Sequence, residues 1–225
     1  MSLDFITVLA VLFIWLMMPP LVREYLQPTA EPSLRNVQIL CVTGSLSVLG
    51  IGLVLFVVGQ YRPHELGISL KQWPADLRVG SLGYLASFAP IILILVATAP
   101  LRSEATLHPL LKVLRLHPQA TTILWMILVA VVIAPLLEEL LFRVVLQGAL
   151  TKRIGPTWSI PLVAVAFSAV HSWPDSLALI PLALVLGYVY HRRHSYLAVV
   201  VLHAIFNATN LVFALLAAEN APAGS

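Results

Sequence analysis

Seven apolar runs, separated by short polar segments, dominate the pattern of this chain. A helix needs about 20 apolar residues to cross a bilayer, and several of the runs approach that length. Backbone polar groups in lipid must be bonded within their own segment, so each run should be helical. The pattern therefore predicts membrane helices at about 4–22, 37–58, 79–99, 121–147, 158–172, 176–191 and 196–217.

Some of these runs are shorter than a full span. The first, fifth and sixth predicted helices are expected to be tilted, half-inserted or packed behind other helices. Residues 106–116 hold a proline and three basic or histidine side chains, so they are predicted to form an interfacial helix. The predicted fold is an all-α polytopic bundle of about seven membrane helices, or eight if that segment enters the bilayer. We expect a single membrane domain over residues 1–225.

Composition supports a membrane protein over a soluble one. Hydrophobic residues make up 60% of the chain and charged residues only 10%, whereas a soluble domain carries about 25% charged residues. The net charge of +3 is small, and the basic residues lie mostly between the apolar runs. They are therefore interpreted as topology signals, and no nucleic-acid partner is predicted.

The basic residues also suggest an orientation. Segments 148–157 and 191–195 carry two Lys or Arg each, whereas segment 172–175 carries none. Short basic loops tend to stay on the cytoplasmic side. Asp4 and the Pro19-Pro20 pair do not fit a cleaved signal peptide, so the first run is predicted to be a retained span. We expect a multi-pass protein of the cytoplasmic membrane of a prokaryote, with its N-terminus inside.

Three charged residues interrupt the fourth apolar run. Glu138, Glu139 and Arg143 lie among Leu, Val and Ile, where each charge costs about 2.5–3.5 kcal/mol if it remains unpaired. Such residues face the protein interior and are candidates for function. Glu139 and Arg143 are four residues apart and can pair on one helix face. Glu138 is rotated by about 100° from Glu139, so its carboxylate remains available.

Two later runs carry further polar residues. His171 lies at the end of the fifth run, and His203 and Asn207 share one face of the last helix. With Glu138, these side chains could activate water, because a carboxylate acts as general base and His and Asn donate to an oxyanion. Alternatively, Glu138, His171 and His203 would offer three zinc ligands with one open position. The chain contains no H-E-x-x-H motif, which excludes the zincin arrangement.

In these residues the chain resembles the CPBP family of CAAX-protease and bacteriocin-processing (Abi) intramembrane peptidases. The resemblance rests on Glu138-Glu139-x-x-x-Arg143, Phe167-x-x-x-His171 and His203-x-x-x-Asn207, and it covers roughly residues 121–210, the predicted catalytic core. It implies a membrane endopeptidase in which Glu138 activates water beside His171. His203 and Asn207 would then form the oxyanion hole, supported by Glu139 and Arg143.

The resemblance leaves the cofactor and substrate open. Family members are described both as metalloproteases and as metal-independent glutamate proteases. The glutamate mechanism, without a cofactor, is favoured because Asn207 suits an oxyanion donor better than a zinc ligand. The expected partners are the lipid bilayer and a membrane-associated or lipidated peptide or protein. A non-enzymatic role remains the alternative, either as an immunity factor against a bacteriocin or toxin or as a proton-linked transporter.

Overall fold

All seven predicted apolar runs are helical in the computed structural model, which describes residues 3–29, 31–103 and 109–219. Within these ranges the chain forms no strand, and the all-α prediction is confirmed. We number the helices α1 (Phe5–Leu26), α2 (Leu34–Val58), α3 (Trp73–Ala97), α4 (Pro109–Leu116), α5 (120–154), α6 (156–169), α7 (Asp175–Arg193) and α8 (Tyr196–Glu219).

The helices form a multi-pass membrane bundle. Among the residues that the structure describes, five helical segments are long and apolar enough to cross a membrane: Phe5–Leu26, Leu34–Val58, Trp73–Ala97, Ala120–Ala169 and Tyr196–Leu216. Many of their outward side chains are large and apolar, as a lipid-facing surface requires. Helix α4 lies in the segment predicted to be interfacial, and it buries Val113 and Leu114 against α5 and α8. The start of that predicted segment, residues 106–108, lies outside the described residues.

The core of the bundle lies between α5, α6, α7 and α8. Helix α3 packs along both α7 and α8, and α6 packs along α7. Side chains such as Val145, Phe167, Leu186 and Leu202 are fully or almost fully buried there. Close packing within this core orients the polar side chains that α5, α6 and α8 carry.

At one end of the bundle, polar contacts join segments that are far apart in the sequence. At this end, which we call the basic end, Arg193 donates from Nε to Asp76 Oδ1 at 2.9 Å, and Tyr190 donates to the Leu66 carbonyl at 3.1 Å. At the start of α1, Asp4 accepts from Thr7, and these bonds lower the pKa of its carboxyl group from 3.8 to about 2. The basic end thus holds together the start of α1, the segment before α3 and the end of α7.

The predicted boundary at residue 147 is wrong. Helix α5 continues to residue 154, and the Lys152-Arg153 pair assigned to a loop is helical. The chain turns at Gly155, whose φ of 74° and ψ of 166° interrupt the helical backbone, and Pro156 follows at once. The 50-residue segment Ala120–Ala169 is therefore two helices, α5 and α6, joined by a single-residue corner.

Replacement of Gly155 should destabilise this corner. Its backbone angles lie in a region that is essentially restricted to glycine, where a side chain costs about 1–3 kcal/mol. We expect Gly155→Ala to lower the free energy of unfolding by that amount, as measured by unfolding of the purified protein in detergent. Gly148→Ala is the matched control, because an added Cβ there meets its nearest neighbours at 3.8 Å in a helical backbone. Equal stability of the two variants would contradict this account of the corner.

Candidate active site

The corner at Gly155 pairs α5 and α6 side by side in opposite directions. Glu138 lies 17 residues before the corner and His171 lies 16 residues after it. The side-chain pairs, in order from the corner, are Thr151–Ser159, Phe142–Phe167 and Glu138–His171. The two halves of the predicted site therefore meet, because the continued α5 and the short α6 place them at the same level.

Glu139 lies at the centre of a buried three-residue network. Its Oε2 accepts from Arg143 Nε at 2.9 Å, and both side chains are 0% exposed. Its Oε1 accepts from His203 Nδ1 at 2.8 Å, and the His203 side chain is 3% exposed. The pairing of Glu139 with Arg143 follows the predicted four-residue spacing. The contact with His203 adds that Glu139 also orients the last helix.

Phe167 separates this network from the second histidine. The Arg143 guanidinium lies over the Phe167 ring, with Cζ 5.1 Å from the ring centroid. The same ring lies 4.8 Å from the His171 ring and 5.7 Å from the His203 ring, measured between centroids. A cation over an aromatic face is attracted to it, so Phe167 contacts the charge of Arg143 while packing against both imidazoles.

The hydrogen bonds of the two histidines determine which ring atom faces Glu138. His171 Nδ1 lies 2.7 Å from the Phe167 carbonyl oxygen, which can only accept, so Nδ1 donates. His203 Nδ1 likewise donates to Glu139. Both imidazoles therefore turn Nε2 toward Glu138 Oε2, at 3.7 Å for His171 and 3.8 Å for His203.

Glu138 and Glu139 have different surroundings although they are adjacent in sequence. The Glu138 side chain is 24% exposed, and that of His171 is 28% exposed. Glu138 Oε2 has no hydrogen-bond partner within the described part of the chain. One carboxylate is thus bound by a cation and an imidazole, and the other faces two imidazoles at the accessible side of the site.

Asn207 lies one turn beyond His203 on α8 and is held by the backbone of α5. Its Nδ2 donates to the Ala130 carbonyl oxygen at 2.7 Å. Ala130 lies in Ile127–Ile133, one of two π-helical stretches in α5. Such stretches disrupt the regular helical ladder and are frequent at functional sites. The amide of Asn207 keeps a second N–H that this bond does not use.

The residues predicted as alternative zinc ligands come together in the structure. Imidazole and carboxylate are suitable donors for zinc. Among the residues that the structure describes, however, no group of three His, Cys, Asp or Glu side chains could hold a metal ion. For Glu138, His171 and His203, both the glutamate mechanism and the metal-dependent mechanism stay predictions.

Sequence reasoning missed an ion pair that anchors the segment carrying His171. Arg102 Nε donates to Asp175 Oδ1 at 2.9 Å, and its Nη1 donates to the Leu95 carbonyl and to Thr98 Oγ1. Asp175 begins α7, four residues after His171. The pair ties the short 170–174 connection to the end of α3. Both residues lie in polar segments, where no spacing in the sequence indicates that they pair.

Removal of the charge of Arg143 alone should destabilise the fold. The Glu139 carboxylate would remain buried without its cation, and breaking one side of a buried pair costs about 3–5 kcal/mol. We expect Arg143→Met to lose about that much unfolding free energy, measured in detergent, and Glu139→Gln/Arg143→Met to lose less. If the double variant were no more stable than the single variant, the ion pair would not be the cause.

Comparisons with known proteins agree with the three motifs. Residues 120–209 match the family model described as Type II CAAX prenyl endopeptidase Rce1-like. UPF0177 protein YaiF of Lactococcus lactis subsp. lactis (strain IL1403) is 40% identical over 86 residues, which are 36% of this chain and 37% of that relative. The aligned part thus spans little more than a third of the relative's length. No solved structure is significantly similar to the chain.

The matched segment contains the motif residues on which the predicted resemblance rests. Glu138, His171, His203 and Asn207 all lie within residues 120–209. The prediction of the CPBP family is therefore confirmed. Residues 120–209 of the chain are thus similar to the Rce1-like group of this peptidase family.

Proposed function

We propose that the chain is an intramembrane endopeptidase that hydrolyses a peptide bond of a membrane-associated or lipidated protein or peptide. The observation that carries this proposal is the convergence of two imidazole Nε2 atoms on Glu138 Oε2. Glu139, by contrast, is occupied by Arg143 and His203. The substrate class draws on the family description, which names CAAX prenyl endopeptidases.

In this proposal Glu138 is the general base. Its Oε2 lies 3.7 Å and 3.8 Å from the two Nε2 atoms, which is too far for a direct hydrogen bond. Polar groups at such distances are commonly bridged by water. A water bound beside Glu138 and His171 would lose a proton to Glu138 as its oxygen attacks the carbonyl carbon. Glu138 would then return that proton to the leaving amine as the peptide bond breaks.

The oxyanion would be stabilised from α8. His203 would keep its Nδ1 bond to Glu139 and, when both ring nitrogens carry a proton, would donate from Nε2 to the developing charge. The second N–H of Asn207 supplies another donor, while its first remains bound to Ala130. Donors that are already oriented need no reorganisation during the reaction, and one such donor contributes about 10²–10³ in rate. Glu139 and Arg143 support the site by orienting His203.

Substitution of Glu138 tests the general base. Glu138→Gln keeps the size of the side chain but cannot take the proton from water, and general-base catalysis contributes about 10²–10⁴ in rate. We expect a loss of kcat of that size, measured with purified protein on a prenylated CAAX peptide and on an unlipidated membrane peptide. Glu31→Gln, at an exposed carboxylate between α1 and α2, should retain wild-type kcat.

Two results would contradict this mechanism. Cleavage by Glu138→Gln at the wild-type rate would remove Glu138 from the role of base. Loss of wild-type cleavage in a chelator, with recovery only after zinc is added, would favour the metal-dependent alternative. The two peptides also separate substrate classes, because cleavage of the unlipidated peptide alone would argue against a prenylated substrate.

The anchor of the His171 segment should affect the rate modestly. Arg102 and Asp175 are 30% and 45% exposed, and ion pairs of this kind contribute up to about 1 kcal/mol. We expect Asp175→Asn to lower kcat by about two- to fivefold through displacement of His171, measured in the same peptide assay. Asp175→Glu keeps the charge and should recover most of the rate. Equal rates for the two variants would show that the charge does not matter.

A further inference from the structure

A buried polar stripe continues along α5 beyond the catalytic network. Glu139, Arg143, Gln147 and Thr151 follow one another at intervals of four residues, which places them along one side of the helix. Gln147 is 1% exposed, and its Nε2 donates to the Gly187 carbonyl of α7 at 2.8 Å. The stripe leads from the proposed active site toward the basic end, and the mechanism above uses only its first two members.

Two neighbouring members of this stripe, Arg143 and Gln147, have hydrogen-bonding atoms without a partner in the described residues, donors on one and an acceptor on the other. Within the described part of the chain, Nη1 and Nη2 of Arg143 and Oε1 of Gln147 are buried without a partner. Guanidinium nitrogens only donate and an amide oxygen only accepts. Water satisfies both kinds of group, and buried waters typically occupy sites with two to four polar partners.

A cavity at the basic end reaches Gln147, the member of the stripe next to Arg143. It has a volume of about 270 Å³ and is lined by Gln147, Gly148, Thr151 and Lys152 of α5 and by His191 of α7, among others. A water molecule occupies about 30 Å³ in the liquid, so the cavity has room for several. Apolar side chains such as Leu3 and Val144 also line it, together with polar ones that can bind water, and Gln147 is a polar residue at its wall that is 1% exposed.

We propose that this cavity is a water-filled vestibule that hydrates the Arg143 guanidinium through Gln147. Arg143 donates to Glu139 from Nε, and its Nη atoms have no hydrogen-bond partner within the described residues. Without hydration, an Nη group would also donate to the Glu139 carboxylate and make the pair bidentate, the usual strong geometry of such pairs. This second hydrogen bond would compete with His203 for Oε1. Gln147 is thus a positioning residue that acts through Arg143 and Glu139 to keep His203 aligned.

Accessibility of cysteines to a charged thiol reagent tests whether the vestibule contains water. In a Cys41→Ala background, Gln147→Cys and Gly148→Cys are treated in membrane vesicles of both orientations with a membrane-impermeant methanethiosulfonate, which reacts with ionised thiols. Labelling of both from one side is expected. Leu141→Cys, at a core position that is 1% exposed and does not line the cavity, should remain unlabelled. If cysteines at positions 147 and 148 were as unreactive as the cysteine at position 141, the proposal would be overturned.

Two variants of Gln147 test whether it acts by hydrating Arg143 or only through its hydrogen bond to the Gly187 carbonyl. Gln147→Met removes both polar atoms, whereas Gln147→Glu keeps an acceptor toward Arg143 but cannot donate to the Gly187 carbonyl when ionised. Misalignment of His203 should lower kcat by about ten- to a hundredfold in Gln147→Met, with KM changed less than twofold. Gln147→Glu should retain at least a third of the wild-type kcat. Equal loss in both variants, or no loss in Gln147→Met, would overturn the proposal.

The kinetic readout rests on the proposed peptidase function, but the labelling does not. If Glu138→Gln still cleaved peptide while residue 147 was labelled, the assignment of the base would fail and the vestibule would stand. If Glu138→Gln was inactive while residue 147 was unlabelled, the vestibule would fail and the peptidase mechanism would stand. The two failures are therefore distinguishable in one set of variants.

Discussion

The buried ion pair between Glu139 and Arg143 is the interaction on which the candidate site depends. An isolated charge among apolar helices is costly, and the two side chains here are 0% exposed. Each charge is tolerated because the other lies on the same helix face at 2.9 Å. The pair also reaches beyond α5, since Glu139 binds His203 and Arg143 lies over Phe167. It thereby connects α5 to both α6 and α8.

A second constraint is the shape of the α5–α6 hairpin. The corner at Gly155 needs backbone angles that other residues rarely adopt. Because the corner consists of one residue, the two helices must run back along each other. Glu138 and His171 therefore lie at one level without a long connecting loop. The π-helical stretches of α5 provide further adjustment, and one of them contains the carbonyl that holds Asn207.

The sequence was sufficient to predict the helical runs, the Glu139–Arg143 pair and the separate orientation of Glu138. These follow from apolar length and helical spacing, both of which are local properties. The end of α5 was mispredicted because Lys152-Arg153 has the composition of a loop, although a helix end at a membrane surface accommodates the same residues. Gln147 could have been recognised as a polar residue in an apolar run, four positions after Arg143. The pairing of Arg102 with Asp175 could not have been predicted from the sequence, because it depends on how α3 packs beside α7.

The two adjacent glutamates show how one helix can carry both a structural carboxylate and the carboxylate proposed as the base. A step of one residue turns the side chain by about 100°, which is enough to move it from the closed core to the accessible side. Glu139 is fully shielded and has two partners, whereas Glu138 is 24% exposed and faces two imidazole nitrogens. A cation bound to a carboxylate favours its ionised form and makes it a weaker base. The charge that stabilises the network and the charge proposed for chemistry therefore lie on separate residues, and their adjacency places Glu138 beside His203.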